Sequence, residues 1–389
     1  MRKGNTIYLD HQASCPIDKR VLDGMIEAFG EEAGNPHSSE HSVGWRAARA
    51  VEEALGKIAS LIGCDQDEIT LTSGATEANN LAILGRKYSG RNKIVISPIE
   101  HKCVIECARQ LQAQKGMVVQ EVKVDSNGLI DLAHLADLVD EDTALVAIIG
   151  VHNEIGTIQP LERISDIARA RGASVHLDMA QAPLAIDMSA VASLADTASL
   201  SGHKMYGPMG IGCLYVGRPS KPALEPILFG GGQQDGLRSG TVPTPLAVGM
   251  GLAAEIVATS SEDRTAIRAL TQCLWEALSA LPINICLNGP PINARHPGNL
   301  NVSIEGCDSG EMIGALQPNL AISSGSACTS GVEEHSYVLR AIGHSIERTQ
   351  SALRLSVGRS TSEKDIFEAV SLIEEAAKRV RQVRQEVIG

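Results

Sequence analysis

Aromatic residues are scarce in this chain of 389 residues: three Phe, five Tyr and two Trp, or 3% in all. Its core must therefore be aliphatic, built from Val, Ile, Leu, Ala and Met, and a base-stacking nucleic-acid surface is disfavoured. Positive charge is also in deficit. With 34 Lys and Arg against 46 Asp and Glu the formal net charge is −12, which works against a phosphate-backbone partner. An acidic surface favours solubility and suits a basic protein partner. No apolar run is long enough to span a bilayer, and Met1-Arg2-Lys3-Gly4-Asn5 leads into Ile7-Tyr8-Leu9 without the apolar stretch of a signal peptide. These absences predict a soluble, cytoplasmic protein that binds neither nucleic acid nor membrane. The nine cysteines show no metal-ligand spacing. Cys103 and Cys107, four apart on an expected helix, are weak evidence for a metal, and none is expected. In a reducing compartment most of the nine serve as small buried hydrophobes.

The length suggests two domains, and the 43% hydrophobic content suits a globular protein with a large core. From about residue 69 to 216 short apolar strands alternate with helical patterns. The expected strands are Ile69–Thr72, Lys93–Ser97, Val118–Val124, Leu145–Val151, Ser174–Asp178, Thr197–Ser201 and Gly212–Val216. Helices are expected at Glu77–Tyr88, Lys102–Gln114, Leu132–Val139 and Leu161–Arg171. Such alternation reads as an α/β domain whose mainly parallel sheet is buried on both faces. Upstream, Val43, Ala47, Ala50, Val51, Ala54, Leu55, Ile58 and Ile62 recur at helical spacing and mark a long helix from about Glu40 to Leu61. After residue 245 helices dominate, with strands at Leu300–Ile304 and Ala352–Ser356. The last helix starts at Ser362, with Asp365 three residues on in the manner of a capping box. A domain boundary is expected near residue 258.

Two strand ends draw attention. Ser174-Val175-His176-Leu177-Asp178 closes on an acid, with Gln181 three residues later, and the next strand runs into Ser201-Gly202-His203-Lys204. In a parallel α/β sheet, ligands sit at the carboxyl ends of strands. A lysine and an aspartate in one such crevice suit pyridoxal 5′-phosphate (PLP). The lysine forms an imine with the aldehyde, and the aspartate keeps the pyridine nitrogen protonated. Ser73-Gly74-Ala75-Thr76 stands between a strand and a helix, where exposed N–H groups favour an anion such as the cofactor's phosphate. Thr76, Ser201 and His203 can add hydrogen bonds, and His101 can lie over the ring. Taken singly, each motif has an ordinary explanation as a turn, a cap or a loop. Together they stand in the chain order that a PLP site requires, and the residues alone leave both readings open.

The sequence resembles the cysteine desulfurases that feed iron–sulfur cluster assembly, over nearly its whole length. The resemblance is carried by Tyr8-Leu9-Asp10 with Ala13, Gly34-Asn35-Pro36, Thr72-Ser73-Gly74-Ala75-Thr76-Glu77, Glu100-His101-Lys102, Asn153-Glu154-Ile155-Gly156, Ser201-Gly202-His203-Lys204 with Tyr206-Gly207-Pro208, and Arg238-Ser239-Gly240-Thr241. The most specific segment is Ser323-Ser324-Gly325-Ser326-Ala327-Cys328-Thr329-Ser330. The resemblance implies an aspartate-aminotransferase-like α/β fold and a homodimer. A large PLP-binding domain would span 15–258. A smaller α+β domain of 1–14 and 259–389 would carry Cys328. It further implies that Lys204 binds PLP and moves the Cα proton, that Asp178 pairs with the pyridine nitrogen, and that Gln181 contacts the ring hydroxyl. His101 would stack on the ring and act in catalysis. Ala75, Thr76, Ser201 and His203 would hold the phosphate, joined by Thr241 from the neighbouring subunit. Asn153, Arg354 and Asn35 would hold substrate, Asn153 also contacting the cofactor and Arg354 because its planar fork matches a carboxylate.

Cys328 is expected to take sulfur from L-cysteine as a persulfide and pass it to an acceptor protein, for cluster assembly or thio-modification, with L-alanine as product. Its neighbours are small and polar, so a buried structural role fits it poorly, whereas Cys64, Cys107, Cys213, Cys273 and Cys286 read as structural. Three departures from the family pattern stand out: Ser14-Cys15 where two threonines are common, Met179-Ala180 before Gln181, and His152 in place of an asparagine. Cys15 is expected to be buried. A selenocysteine lyase or another PLP enzyme of the same fold is the alternative reading.

Overall fold

The computed structural model describes residues 2–31, 33–88, 90–324 and 335–388. Its centre is a seven-stranded sheet in the order Ile69–Thr72, Gly212–Val216, Thr197–Ser201, Ser174–Asp178, Thr143–Ile149, Lys93–Ile96 and Val118–Glu121. Every neighbouring pair is parallel except those made by Gly212–Val216, which runs antiparallel to both of its neighbours. Most of the strands are buried along nearly their whole length. That is the expected state of a parallel sheet covered on both faces, and it explains their unbroken apolar runs.

Several element ends differ from the sequence reading, and contacts with residues elsewhere in the chain decide two of them. The strand at Val118 stops at Glu121, after which the Lys123 amide is taken by His134 Nδ1 at 3.0 Å. The strand after it runs Thr143–Ile149, shifted two residues toward the N-terminus of the expected Leu145–Val151. The first helix of the sheet region runs Ala75–Leu84, ending at Gly85 because Arg86 bridges to Leu224. The long helix spans Ser42–Ile62, capped by the His41 ring, which accepts from Gly44 N at 3.1 Å. It packs on Thr244–Ala258 so closely that a Cβ on Gly251 would stand 2.7 Å from Ala54 Cα. The capping box at Ser362 and Asp365 is present: Ser362 N donates to Asp365 Oδ2 at 3.1 Å, and Asp365 N to Ser362 Oγ at 3.2 Å.

A second, antiparallel sheet joins Ile285–Leu287, Asn299–Ile304 and Ala352–Ser356. A third pairs Arg2–Lys3 and Thr6–Tyr8 with Leu320–Ala321. Apolar side chains fall into separate clusters. The largest is drawn from residues 15–257, and another joins Ile7 and Leu9 to residues 267–380. The chain's first strands therefore pack with its last third, and the segment from Asp10 to Cys15 crosses between the two bodies.

One close approach shapes the edge of the large sheet. A Cβ on Gly212 would lie 2.5 Å from Leu200 O and 2.6 Å from Gly74 Cα, so only glycine lets the turn at Gly74 settle against the strand. Gly212→Ala is expected to lower stability by roughly 1–3 kcal/mol, the usual cost of overpacking, read as a lower urea midpoint. An unchanged midpoint would contradict this packing.

Candidate active site

The carboxyl ends of five strands converge on one cleft of about 480 Å³. Thr72 leads into the Ser73-Gly74 turn, Asp178 and Ser201 end their strands, and His101 and Asn153 follow theirs. Ala75, Thr76, His101, Asn153, Asp178, Gln181, Ser201, His203, Lys204 and Arg354 all line this cleft. Asn35 and Thr241 do not line it. Thr241 is exposed in this chain, and Asn35 Oδ1 accepts from His37 N at 3.0 Å. Cys328 lies outside the described residues.

Asp178 is buried, with 3% exposure, and a carboxylate so placed needs donors. Among the described residues it has three: Asn79 Nδ2 at 2.8 Å, the Ala180 amide at 3.0 Å and Ser199 Oγ at 3.4 Å. Sequence reasoning missed Asn79, a fully buried residue on the helix Ala75–Leu84. Its Oδ1 lies 2.9 Å from His176 Nε2, and His176 Nδ1 lies 2.9 Å from Thr197 Oγ1. An amide oxygen only accepts, so His176 carries its proton on Nε2 and accepts from Thr197. Asn79 Nδ2 also donates to Cys103 Sγ at 3.1 Å, and that sulfur lies 3.0 Å from His101 Nδ1. One amide thus ties the Asp178 carboxylate to the His101 ring. Cys103, read from the sequence only as half of a weak metal pair, belongs to this cluster.

Lys204 Nζ donates to the carbonyls of Gln12 at 2.6 Å and Ala13 at 2.7 Å. Gln181 Nε2 donates to the same Gln12 carbonyl at 2.9 Å. The His203 ring meets Ser14 Oγ at 3.2 Å. Cys15 is buried, its thiol donating to His11 O at 3.3 Å and pushed up to about 12 by burial. His152 fastens a turn. Its Nε2 donates to Ile99 O at 2.8 Å while Nδ1 accepts from the Glu154 amide at 3.0 Å.

At the Gly74 turn the helix Ala75–Leu84 has no side-chain cap from its leading residue. Its first amides have no intrahelical carbonyl to meet. With the Thr76 hydroxyl beside them they form a cradle for an anion. Glu77 would oppose one, but its carboxylate is engaged by Arg238 Nε at 2.7 Å and Nη2 at 3.2 Å, and it accepts from Ser73 N at 2.6 Å. On the other side of the cleft, Arg354 Nη2 pairs with Asp10 Oδ1 at 2.8 Å and Nη1 donates to Asn153 O at 3.1 Å. Chemically the cleft offers a primary amine, a buried carboxylate, an imidazole, an anion cradle and a guanidinium. This set fits PLP with an amino acid: an amine for the aldehyde, an acid for the ring nitrogen, and for the phosphate the cradle at Gly74, where a Cβ would meet nothing within 4 Å.

The family described as aminotransferase class-V matches residues 7–368. Over 371 residues the chain is 45% identical to a cysteine desulfurase IscS of Rickettsia rickettsii (strain Iowa), covering 94% of this chain and 90% of that protein. Among solved structures it is similar to a NifS-like protein, with a TM-score of 0.88 and 33% identity over 96% of this chain and 99% of the other. It is also similar to SspA in complex with cysteine, with a TM-score of 0.79 and 33% identity over 92% of this chain and all of that one.

The cleft's surroundings carry buried titratable groups of both kinds. Burial holds His11, His152, His203 and His296 down to about 4 and also depresses His176. Burial pushes Glu100 up to about 8 and Glu154 up to about 7. The histidines stay neutral in the fold but take protons in the unfolded chain. Their contribution is present above the unfolded value near 6.5 and is lost as pH falls toward 4. The two acids act oppositely, since the fold favours their protonated form and loses stability as pH rises from the unfolded carboxylate range toward 7 to 8. Between about pH 5 and 6.5 the five histidines outweigh the two acids. The urea midpoint is expected to climb over that range and level off near pH 7. A midpoint that falls from about pH 5 to 6.5 would contradict the assignment of these side chains as neutral in the fold.

Proposed function

The chain belongs to the aminotransferase class-V family and stands among its cysteine desulfurases, and from that premise we propose that it takes sulfur from L-cysteine, releases L-alanine and hands the sulfur through Cys328 to an acceptor protein. The observation that carries this reading is the convergence of Lys204, Asp178, His101 and an anion cradle in one cleft with Arg354. The likeness to a protein solved with cysteine bound supports the choice of substrate.

In this reading PLP is the cofactor. Lys204 Nζ would hold its aldehyde carbon, Asp178 its ring nitrogen, Gln181 its ring hydroxyl and His101 its face. The amides of Ala75 and Thr76 would hold the phosphate with the Thr76 and Ser201 hydroxyls and His203. When bound, PLP draws electrons from the substrate Cα, which makes the α-proton acidic and lets the bond from Cβ to sulfur break. The protein's own residues do the rest. Arg354 and Asn153, which line the cleft as Asn35 does not, orient the α-carboxylate, and Lys204 Nζ takes the α-proton once substrate has displaced it. The Cys328 thiolate attacks the substrate sulfur, so that a sulfur–sulfur bond forms as the carbon–sulfur bond breaks. The electron pair stays on the carbon skeleton, which gains a proton and leaves as alanine.

The residues on either side of the Cys328 segment support this role. Ser323 pairs with the backbone of Arg354, N to O at 3.1 Å and O to N at 2.7 Å. On the other side Ser336 Oγ donates to Glu154, and Tyr337 OH to Glu100 O at 2.6 Å. The described residues that flank it thus stand beside groups of the cleft. The reading includes a homodimer in which a second copy supplies Thr241. The exposure of Thr241, of Met209 at the cleft and of Phe229 supports it. It also includes the division of the chain into residues 15–258 and a smaller domain of 1–14 and 259–389, which the separate apolar clusters support. A reducing cytoplasm would keep the Cys328 thiol available, and the acceptor would serve iron–sulfur cluster assembly or thio-modification.

Cys328→Ser is expected to keep PLP and to lose all persulfide formed on adding L-cysteine, as mapped by mass spectrometry of peptides without reductant, with alanine release falling in parallel. Undiminished cysteine-dependent persulfide on the variant would contradict the role of Cys328.

A further inference from the structure

We propose that Asp10 sets how tightly this site holds amino acids, by competing with the α-carboxylate of substrate and product for Arg354. The inference rests on the reading of Arg354 as the holder of that carboxylate.

Arg354 lies mid-strand in Ala352–Ser356 and lines the cleft, yet its side chain is only 5% exposed. Its charge is already partnered before any amino acid arrives: Nη2 meets Asp10 Oδ1 at 2.8 Å, and Nη1 meets Asn153 O at 3.1 Å. A guanidinium has five N–H groups, and these contacts use two of them. Nε is buried and has no partner among the described residues. The group therefore retains donors for a second carboxylate while Asp10 stays beside it. Asp10 is held in place by its own backbone, bridged to Ser356 and accepting from Tyr8 OH at 3.0 Å. Its side chain, 19% exposed, stands at the edge of the site.

The chemistry gives this pairing a purpose. L-cysteine and L-alanine carry the same α-carboxylate, so a grip on that group holds substrate and product alike. Binding both equally adds nothing to the rate of the chemical step. A buried guanidinium with no counter-charge would hold each of them strongly and would destabilise the empty site. Asp10 does two things at once. It keeps Arg354 neutralised and oriented between turnovers, and it obliges an incoming carboxylate to share or displace an ion pair. Product leaves more readily because Asp10 is there to replace it.

A strut and a competitor predict opposite results. If Asp10 only oriented Arg354, its removal would weaken binding; if it competes, removal tightens binding. The test is calorimetric titration of L-alanine into the PLP-loaded wild type, Asp10→Asn, Asp10→Ser and Arg354→Ala. L-Alaninamide, which lacks the carboxylate, serves as the reference ligand. Asp10→Asn keeps the shape and one acceptor without the charge, and Asp10→Ser guards against misfolding of the first variant. Both are expected to bind L-alanine roughly tenfold more tightly, the scale of one charge contact screened nearly as in water, with L-alaninamide unchanged. Arg354→Ala is expected to lose L-alanine. If Arg354→Ala loses L-alanine but both Asp10 variants bind it equally or more weakly than wild type, the competition is overturned and the role of Arg354 stands. Wild-type affinity for L-alanine in Arg354→Ala would overturn both.

Discussion

The site depends on a carboxylate placed out of water at the end of a parallel strand. Among the described residues Asp178 has three donors within reach, and two of them, Asn79 and Ser199, come from other elements. The strand order puts Thr197–Ser201 beside Ser174–Asp178, and the helix Ala75–Leu84 lies across both. Asn79 is saturated by this placement. Its two N–H bonds go to Asp178 and Cys103, and its oxygen faces His176. A fully satisfied buried network fixes its members in one geometry, whereas a half-satisfied one is costly. The burial that keeps His176 neutral therefore also determines where the acid can point.

The positive groups of the cleft are arranged around a single crossing segment. Gln12 accepts through its carbonyl from both Lys204 and Gln181, donates its amide to Ser356 Oγ at 2.9 Å, and receives Asn299 Nδ2 at 2.6 Å on its side chain. Asp10, two residues earlier, holds Arg354. The stretch from Asp10 to Cys15 thus joins the amine that would bind the cofactor to the guanidinium that would bind the substrate. That is why its burial continues through His11, Gln12 and Cys15, although the segment contains no helix or strand.

Much of the frame was legible because its periodicity is local. Ile69–Thr72, Ser174–Asp178, Thr197–Ser201 and Gly212–Val216 have the ends read from the sequence, since each is a short apolar run closed by polar or glycine residues. Ends were misread where a bond to a distant residue decides them, as at Arg86 with Leu224 or Lys123 with His134. Lys204, Asp178 and His101 could be found because they stand at strand ends. Asn79, Cys103 and the pairing of Asp10 with Arg354 could not, because their meaning lies in contacts across 24 to 344 residues of chain. His152 and Cys15 departed from the family pattern in the sequence. In the structure they prove to be a turn clamp and a buried thiol.

The central claim is that this cleft holds PLP through Lys204. The most direct measurement is borohydride reduction of the loaded protein followed by peptide mapping. The account predicts a single pyridoxyl adduct, on the peptide carrying Lys204. An adduct on another lysine, or none in protein that retains the cofactor's absorbance, would contradict it.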